Sequence, residues 1–307
     1  MAAVLVAVAI AGVVALSLIL YLIWRAWFLY GDGKGMVALN FYRPFELLSK
    51  TTLVEGDGHS LPVVRFTFAL PQHSSLQSLG FDLGRGSFVK VKAPRGARPY
   101  SPTSEVTRKG SFDLTVKIYP NGRVSEHLNG LSVGDVAMCS GPGPVPWIHI
   151  RRREGRGFGL IAFGVGITEI IEVAKCELAR ESCAKLVLLW VNRTWSDVFD
   201  LQSLSELVDK SGGRLGVTHV LSREKRDGCF SGRISAALLN EAFAPLLDLE
   251  HSRLRFLAVG TRSMKQHAAR CLQELGFGPS AQLLYKRPGW PCPKRKRTPD
   301  EAETAAE

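Results

Sequence analysis

Cysteine is scarce and scattered. The six residues, at 139, 176, 183, 229, 271 and 292, form no C-x-x-C pair. A structural zinc of ordinary spacing, a plant-type iron–sulfur cluster and a disulfide scaffold are therefore all disfavoured, and no metal is expected. The scatter fits a reducing compartment. No glycine period of three suggests collagen, and no full G-x-G-x-x-G fingerprint is present. Acid is in short supply: 28 acidic residues face 39 basic ones, a net charge of +11. The basic residues include short runs at Arg151 to Arg153, Lys225–Arg226 and Lys294 to Arg297. They accompany no recognisable nucleic-acid module, so nucleic acid is not an expected partner. The charge points instead to solubility, anionic lipid or an acidic protein.

Charge is missing altogether from Ala2 to Trp24. As a helix this run would cover ~34 Å, enough for the ~30 Å hydrocarbon core. Nothing basic precedes it, as a cleaved signal peptide would require. Trp24, Arg25, Trp27, Phe28 and Tyr30 follow, in the manner of an interfacial belt. Residues 1–30 are therefore expected to be a transmembrane anchor. Arg25 and Lys34 flank only its C-terminal side, which puts the remaining body in the cytosol. Residues 31–40, opening on the glycine-rich GDGKG, read as a linker.

What is present resembles an ordinary globular chain, 46% apolar and 22% charged. At ~150 residues per domain, 307 residues make about two domains. From about 41 to 150 the pattern is β-rich and often alternating: Leu61 to Leu70, Ser87 to Ala93 and Phe112 to Tyr119, punctuated by glycine and proline. An antiparallel β-barrel is predicted. From 151 to 287 apolar strands alternate with helices. The strands are predicted at Gly159–Phe163, Leu186–Val191, Val217–Leu221 and Leu254–Val259, with a last short one at Leu283–Tyr285. The helices are predicted at Thr168–Leu178, Val198–Val208, Ile234–Phe243 and Met264–Leu275, the last capped by Gly276. Repeated β-α-β reads as a doubly wound parallel sheet, which binds ligands at its strands' carboxyl ends. Residues 288–307 are proline-rich, basic and then acidic, and read as a disordered tail.

Three stretches offer cofactor chemistry. Arg98–Pro99–Tyr100–Ser101 puts a cation, an aromatic ring and a hydroxyl within four residues. In an extended strand Arg98 and Tyr100 share a face, suited to gripping a phosphate and stacking on a planar ring, though a proline-rich surface turn reads the same way. Gly122–Arg123–Val124–Ser125 begins a helical-looking segment whose N–H groups could meet a second phosphate; a plain turn is the alternative. Gly164–Val165–Gly166–Ile167–Thr168 joins a strand to a helix, either to cradle a phosphate or as a tight joint alone.

Taken in order, RPYS-PTS, KIY, GRVS, GVGIT and VGTRSM resemble the ferredoxin–NADP reductase-like superfamily, and within it the NADH–cytochrome b5 reductase family. The resemblance covers nearly all of residues 41–286. It implies an FAD-binding β-barrel domain over 41–150 and an NAD(P)H-binding α/β domain over 151–287. It implies that Arg98 binds the FAD phosphate and that Tyr100 and Ser101, the expected catalytic residues, contact the isoalloxazine. Pro99 belongs to the same motif. Lys117, Ile118 and Tyr119 would contact FAD, and Gly122, Arg123, Val124 and Ser125 would form the pyrophosphate turn. Gly164, Gly166 and Thr168 would form the nicotinamide-nucleotide loop, with Gly260 and Met264 near the nicotinamide. Ser222 and Arg223 would lie where a 2′-phosphate could be gripped.

Several positions depart from the family pattern. Phe163, Val165 and Glu169 replace a glycine, a threonine and a proline of the loop, and Val259 replaces a cysteine beside the nicotinamide. The flavin half is therefore expected to match better than the nucleotide half. The reading is a membrane-anchored flavoprotein passing electrons from NADH through FAD to a small acidic haem protein such as cytochrome b5. The endoplasmic reticulum or mitochondrial outer membrane would carry it. An FAD-binding scaffold with a degenerate nucleotide site and an NADPH-preferring diaphorase are the alternatives.

Overall fold

The computed structural model describes residues 42–57, 60–79, 88–141 and 155–283. The expected anchor, linker and tail lie outside them, as do Leu284 and Tyr285. Among the described residues no helix is long and apolar enough to cross a membrane.

The first half is an antiparallel six-stranded sheet of β1 (Arg43–Val54), β2 (Val63–Ala69), β3 (Val89–Ala93), β4 (Gly96–Tyr100), β5 (Ser111–Lys117) and β6 (Val136–Ser140). Their spatial order is β4-β3-β6-β1-β2-β5. The two edges meet just beyond β4. Pro102 bridges Leu114, and Thr103 N–H donates to the Asp113 carbonyl at 2.9 Å. The sheet thus closes into a barrel, which removes its edges. Period two drives this: Phe66 and Phe68 on β2, and Val89, Val91 and Ala93 on β3, alternate into the core. Phe112 packs edge-on to Phe45 at 5.6 Å inside. A short helix, α1 (Ser125–Asn129), follows β5.

The predicted strands in this half are found with their ends shifted by at most two residues. β1 and β6 had not been delimited from sequence. β1 loses alternation because Leu48 to Thr52 are all exposed. It also bulges between Leu47 and Ser49.

The second half is a five-stranded parallel sheet in the order β10-β9-β8-β7-β11. Its strands are β7 (Gly157–Phe163), β8 (Lys185–Asn192), β9 (Leu215–Leu221), β10 (Phe230–Ser231) and β11 (Leu254–Val259). Helices α2 (Ile167–Leu178) and α3 (Leu201–Lys210) cover one face; α4 (Ala236–Ala242) and α5 (Arg262–Glu274) cover the other. β8 shows why: Leu186, Leu188 and Trp190 join one core while Val187 and Leu189 join the other. Strands buried on both faces read as unbroken apolar runs.

Helix starts move where polar residues intervene. The helix predicted from Val198 starts instead at Leu201, as α3, after a 3₁₀ turn at Trp195–Asp197. Between them Asp200, at φ +55°, takes an ion pair from Arg65 of the barrel at 2.6 Å. α4 begins at Ala236 because the Ser235 hydroxyl caps Leu238 N–H. α5 begins two residues early, capped by Thr261. Gly276 follows α5 at φ +85°, the left-handed residue that stops a helix. Just before the last predicted strand Gln282 bridges Phe256, and Leu283, the one residue of that strand described, donates its N–H to the Phe256 carbonyl.

Candidate functional site at the seam between the halves

On β4, Arg98 is exposed and Tyr100 is half-buried against the barrel core. The Arg98 guanidinium makes one weak bond, to the Ala97 carbonyl at 3.3 Å. Burial pushes the Tyr100 phenol up to about 12, against the pull of Arg98, with Tyr119 adding to the rise. The phenol therefore stays neutral, an O–H donor, across physiological pH. Ser101 is half-buried at the end of the strand.

The turn after β5 comes to the same place. Arg95, at the β3–β4 turn, pairs with Glu126 of α1 at 2.9 Å, and the Arg123 side chain lies near Gly96. Asn121 takes φ +59° and Gly122 N–H returns to the Tyr119 carbonyl. A Cβ on Gly122 would sit 2.1 Å from Ser125 Oγ and 2.8 Å from the Tyr119 carbonyl, so only glycine closes this turn. The Ser125 hydroxyl accepts from Tyr119 N–H at 3.2 Å. Val124 and Ile118 point into the core, so each could offer a ligand backbone only. Arg123 and Tyr119 are exposed. Lys117 is spoken for: its ammonium meets Asp197 of the other half at 3.1 Å, both nearly buried. Arg193 approaches the same carboxylate at 3.5 Å; burial raises the Tyr119 phenol, and Arg193 opposes that rise only in part.

Across the seam, β7 ends at a chain reversal. β11 lies beside β7 while β8, β9 and β10 lie on its other side, which makes the end of β7 the sheet's switch point. Gly164 takes φ +54°. A Cβ on Gly166 would lie 2.6 Å from the Val259 carbonyl, so glycine is what lets the loop meet the end of β11. Gly260 is pinned likewise: its Cβ would strike Phe163 at 2.8 Å. Thr168 Oγ donates to the Val165 carbonyl at 3.1 Å. Trp190 Nε1 donates to the Gly164 carbonyl at 2.9 Å from below. Trp190 in turn packs on Phe199 and His219, and His219 on Trp195, whose ring carries Arg226 at 4.3 Å. Burial lowers the His219 imidazole, keeping it neutral.

Asn192 is the residue sequence reading left without a role. It ends the apolar run KLVLLWVN, and that lone polar residue at a strand's carboxyl end was the available signal. Its side chain is 5% exposed, and neither Oδ1 nor Nδ2 has a partner. Oδ1 stands 4.0 Å from where a Gly164 Cβ would be. A buried amide with both ends unmet is costly unless a ligand completes it. Beside it, Ser222 N–H donates to the Asn192 carbonyl and Arg223 N–H to that of Arg193. The Arg223 side chain is exposed, as is Met264 near the start of α5. Among the described residues no cluster could hold a metal ion.

Two family models divide the chain along the same line. The oxidoreductase FAD-binding domain matches residues 50–144 and the oxidoreductase NAD-binding domain matches 160–270. NADH–cytochrome b5 reductase 1 of Arabidopsis thaliana is 28% identical over 268 residues, 85% of this chain and 90% of that one. The chain therefore carries the FAD-binding and NAD-binding domains of an oxidoreductase and is similar along most of its length to NADH–cytochrome b5 reductases. It is an FAD- and NAD-binding oxidoreductase. NADH nitrate reductase 1 of Phaseolus vulgaris is 33% identical over 264 residues, but these span only 28% of its length. Among solved structures, the CS-b5R domains of human Ncb5or in the NAD⁺ form superpose with a TM-score of 0.61. They are 25% identical, covering 79% of this chain and 68% of theirs. The cytochrome b5 reductase domain of Ulva prolifera nitrate reductase shares the fold, with a TM-score of 0.62 at 22% identity over 80% of this chain and 97% of its own.

The site's chemistry fits FAD and a nicotinamide dinucleotide, the cofactors of the two matched domains. The barrel side offers an under-used guanidinium, a neutral phenol and a turn that only glycine closes. The sheet side offers a loop at a switch point and an unsatisfied buried amide.

Proposed function

We propose that this reductase carries electrons from NADH through FAD to a small acidic one-electron carrier, cytochrome b5 or a haem protein like it. Residues 41–150 would form the FAD domain and 151–287 the NADH domain. FAD held there would supply the hydride-accepting and one-electron-releasing chemistry. The chain's own residues bind, orient and shield.

In this reading Arg98 holds the FAD phosphate, where a charge-assisted bond is stronger than its present weak one. Tyr100, braced by Pro99 and the barrel core, presents its ring to the flavin, and Ser101 offers a hydroxyl near the reacting nitrogen. Tyr119 and the backbone of Lys117 and Ile118 line the same wall. The Lys117 ammonium ties that wall to Asp197. Gly122 and Ser125 shape the pyrophosphate turn, Val124 anchors it from the core, and Arg123 supplies its cation. Gly164, Gly166 and Thr168 shape the nucleotide loop, and Asn192 completes its amide on the nucleotide. Ser222 and Arg223 meet the adenosine end; Gly260 and Met264 border the nicotinamide.

The charge-free run from Ala2 to Trp24 would hold the enzyme at a membrane of the endoplasmic reticulum or the outer mitochondrion, with the catalytic body in the cytosol. The net charge of +11 would steer an acidic carrier toward the enzyme.

The observation that carries the reading is the unmet Asn192 amide beside Gly164, across the seam from Tyr100 and Tyr119. Steady-state reduction of cytochrome b5 by NADH tests it. Saturable reduction that weakens as salt rises is expected. If NADH reduces the flavin but cytochrome b5 stays oxidised, the acceptor is wrong.

A further inference from the structure

One outer face of the barrel gathers four of the large apolar side chains exposed among the described residues, Leu48, Val133, Val136 and Met138. On β1, Pro44, Glu46 and Leu48 face outward while Phe45 and Leu47 are buried; on β6, Val136 and Met138 do so beside buried Ala137 and Cys139. Register sets Val136 against Glu46 and Met138 against Pro44. Val133 joins them through the turn whose Gly134 N–H donates to the Leu47 carbonyl. Val133 is 64% exposed, Val136 53%, Leu48 43% and Met138 38%.

The next strand adds positive charge. Lys92 lies opposite Met138 and Lys90 opposite Ser140. Their ammonium groups stand 5.5 and 5.9 Å from the Tyr42 ring. Glu46 and Asp135 are the acids here, and the Asp135 carboxylate already accepts from Ser132 N–H at 2.8 Å.

Tyr42 is also where the chain arrives from residues 1–41, which contain the charge-free run. The 17 residues from Arg25 to Phe41 reach at most ~60 Å when fully extended. An aromatic ring, two lysines and a strip of Leu, Val and Met are the composition of a surface that settles into the headgroup zone.

We propose that this face, formed by Tyr42, Leu48, Val133, Val136 and Met138 with Lys90 and Lys92, lies against an anionic bilayer and fixes the enzyme's orientation on it. The inference rests on the membrane reading of residues 2–24 and adds the face to it.

Full chain carrying a benzophenone amino acid in place of Val136 would be incorporated into phosphatidylcholine–phosphatidylserine nanodiscs and irradiated, with the same probe in place of Glu206 on α3 for comparison. Lipid adducts at least fivefold more abundant from position 136 are expected, falling severalfold when Lys90→Glu and Lys92→Glu are added. Equal yields from both positions in chain that has entered the discs would overturn the face alone. Protein–protein adducts from position 136 would overturn it too, assigning the strip to a second copy. Chain that stays out of the discs would overturn both the face and the anchor.

Discussion

In the barrel, the groups proposed to meet a cofactor sit on adjoining residues: Arg98 to Tyr100 on β4 with Ser101 just after it, and Tyr119 to Ser125 in one turn. In the parallel sheet they come from the ends of different strands and meet only in space. Gly166 abuts β11, Gly260 abuts Phe163, and Trp190 of β8 supports the Gly164 carbonyl. The first arrangement survives as a contiguous motif or not at all. The second can absorb a changed residue if a neighbour fills the gap. Phe163, standing where relatives of this pattern have glycine, is extended at φ −97° and packs over Gly260. The departure in sequence is thus not a break in the loop's shape.

The largest expected effect is a way to break the nucleotide half alone. Gly166→Val would drive a side chain into the Val259 carbonyl, costing at least about 1–3 kcal/mol of stability by overpacking. Purified protein should keep its flavin absorbance while NADH no longer bleaches it. Loss of flavin as well would mean the halves fail together.

The matching variant for the barrel is Arg98→Ala. Removing a charge-assisted phosphate contact should cost about 1.5–3 kcal/mol of FAD affinity. The flavin-to-protein ratio after purification should fall well below one, whereas full occupancy would remove Arg98 from the phosphate site.

A third variant probes the joint. Lys175 of α2 reaches Glu105 of the barrel at 2.8 Å and Glu172 at 3.2 Å. Burial pushes the Glu172 carboxyl from 4.5 up to about 6, against the pull of Lys175. The folded protein therefore binds more protons than the unfolded chain between these values, and stability falls as pH rises through that window. The shift corresponds to about 2 kcal/mol. Glu172→Gln should flatten the thermal-midpoint profile between pH 4.5 and 6, and an unchanged slope would show another group titrating there.

The barrel was legible because its strands alternate, and the residues proposed for its site stood out because their motif is contiguous. The sheet was legible as apolar runs; two helix starts were not, because the Ser235 and Thr261 caps set them two residues away from the apolar pattern. The pairing of Lys117 with Asp197 was not, because 80 residues separate them and neither sits in a pattern that names its partner. Trp190 and Asn192 were hidden for a related reason: both belong to a strand that reads as core, and only the fold shows which atoms remain to be met.

Smaller effects sharpen the comparison. Trp190→Phe keeps the packing but removes the bond to the Gly164 carbonyl, worth about 0.5–1.5 kcal/mol. NADH should bind up to about tenfold more weakly with FAD content unchanged. Arg223→Ala should lower kcat/KM more with NADPH than with NADH if its exposed guanidinium reads a 2′-phosphate; an equal loss would exclude that role.

Anaerobic stopped-flow mixing of the purified flavoprotein with excess NADH bears most directly on the account. If the loop at the end of β7 binds NADH as proposed, flavin absorbance should bleach within about a second, as turnover on the order of 1–10³ s⁻¹ requires. Bleaching spread over minutes, with FAD bound at full occupancy, would contradict it.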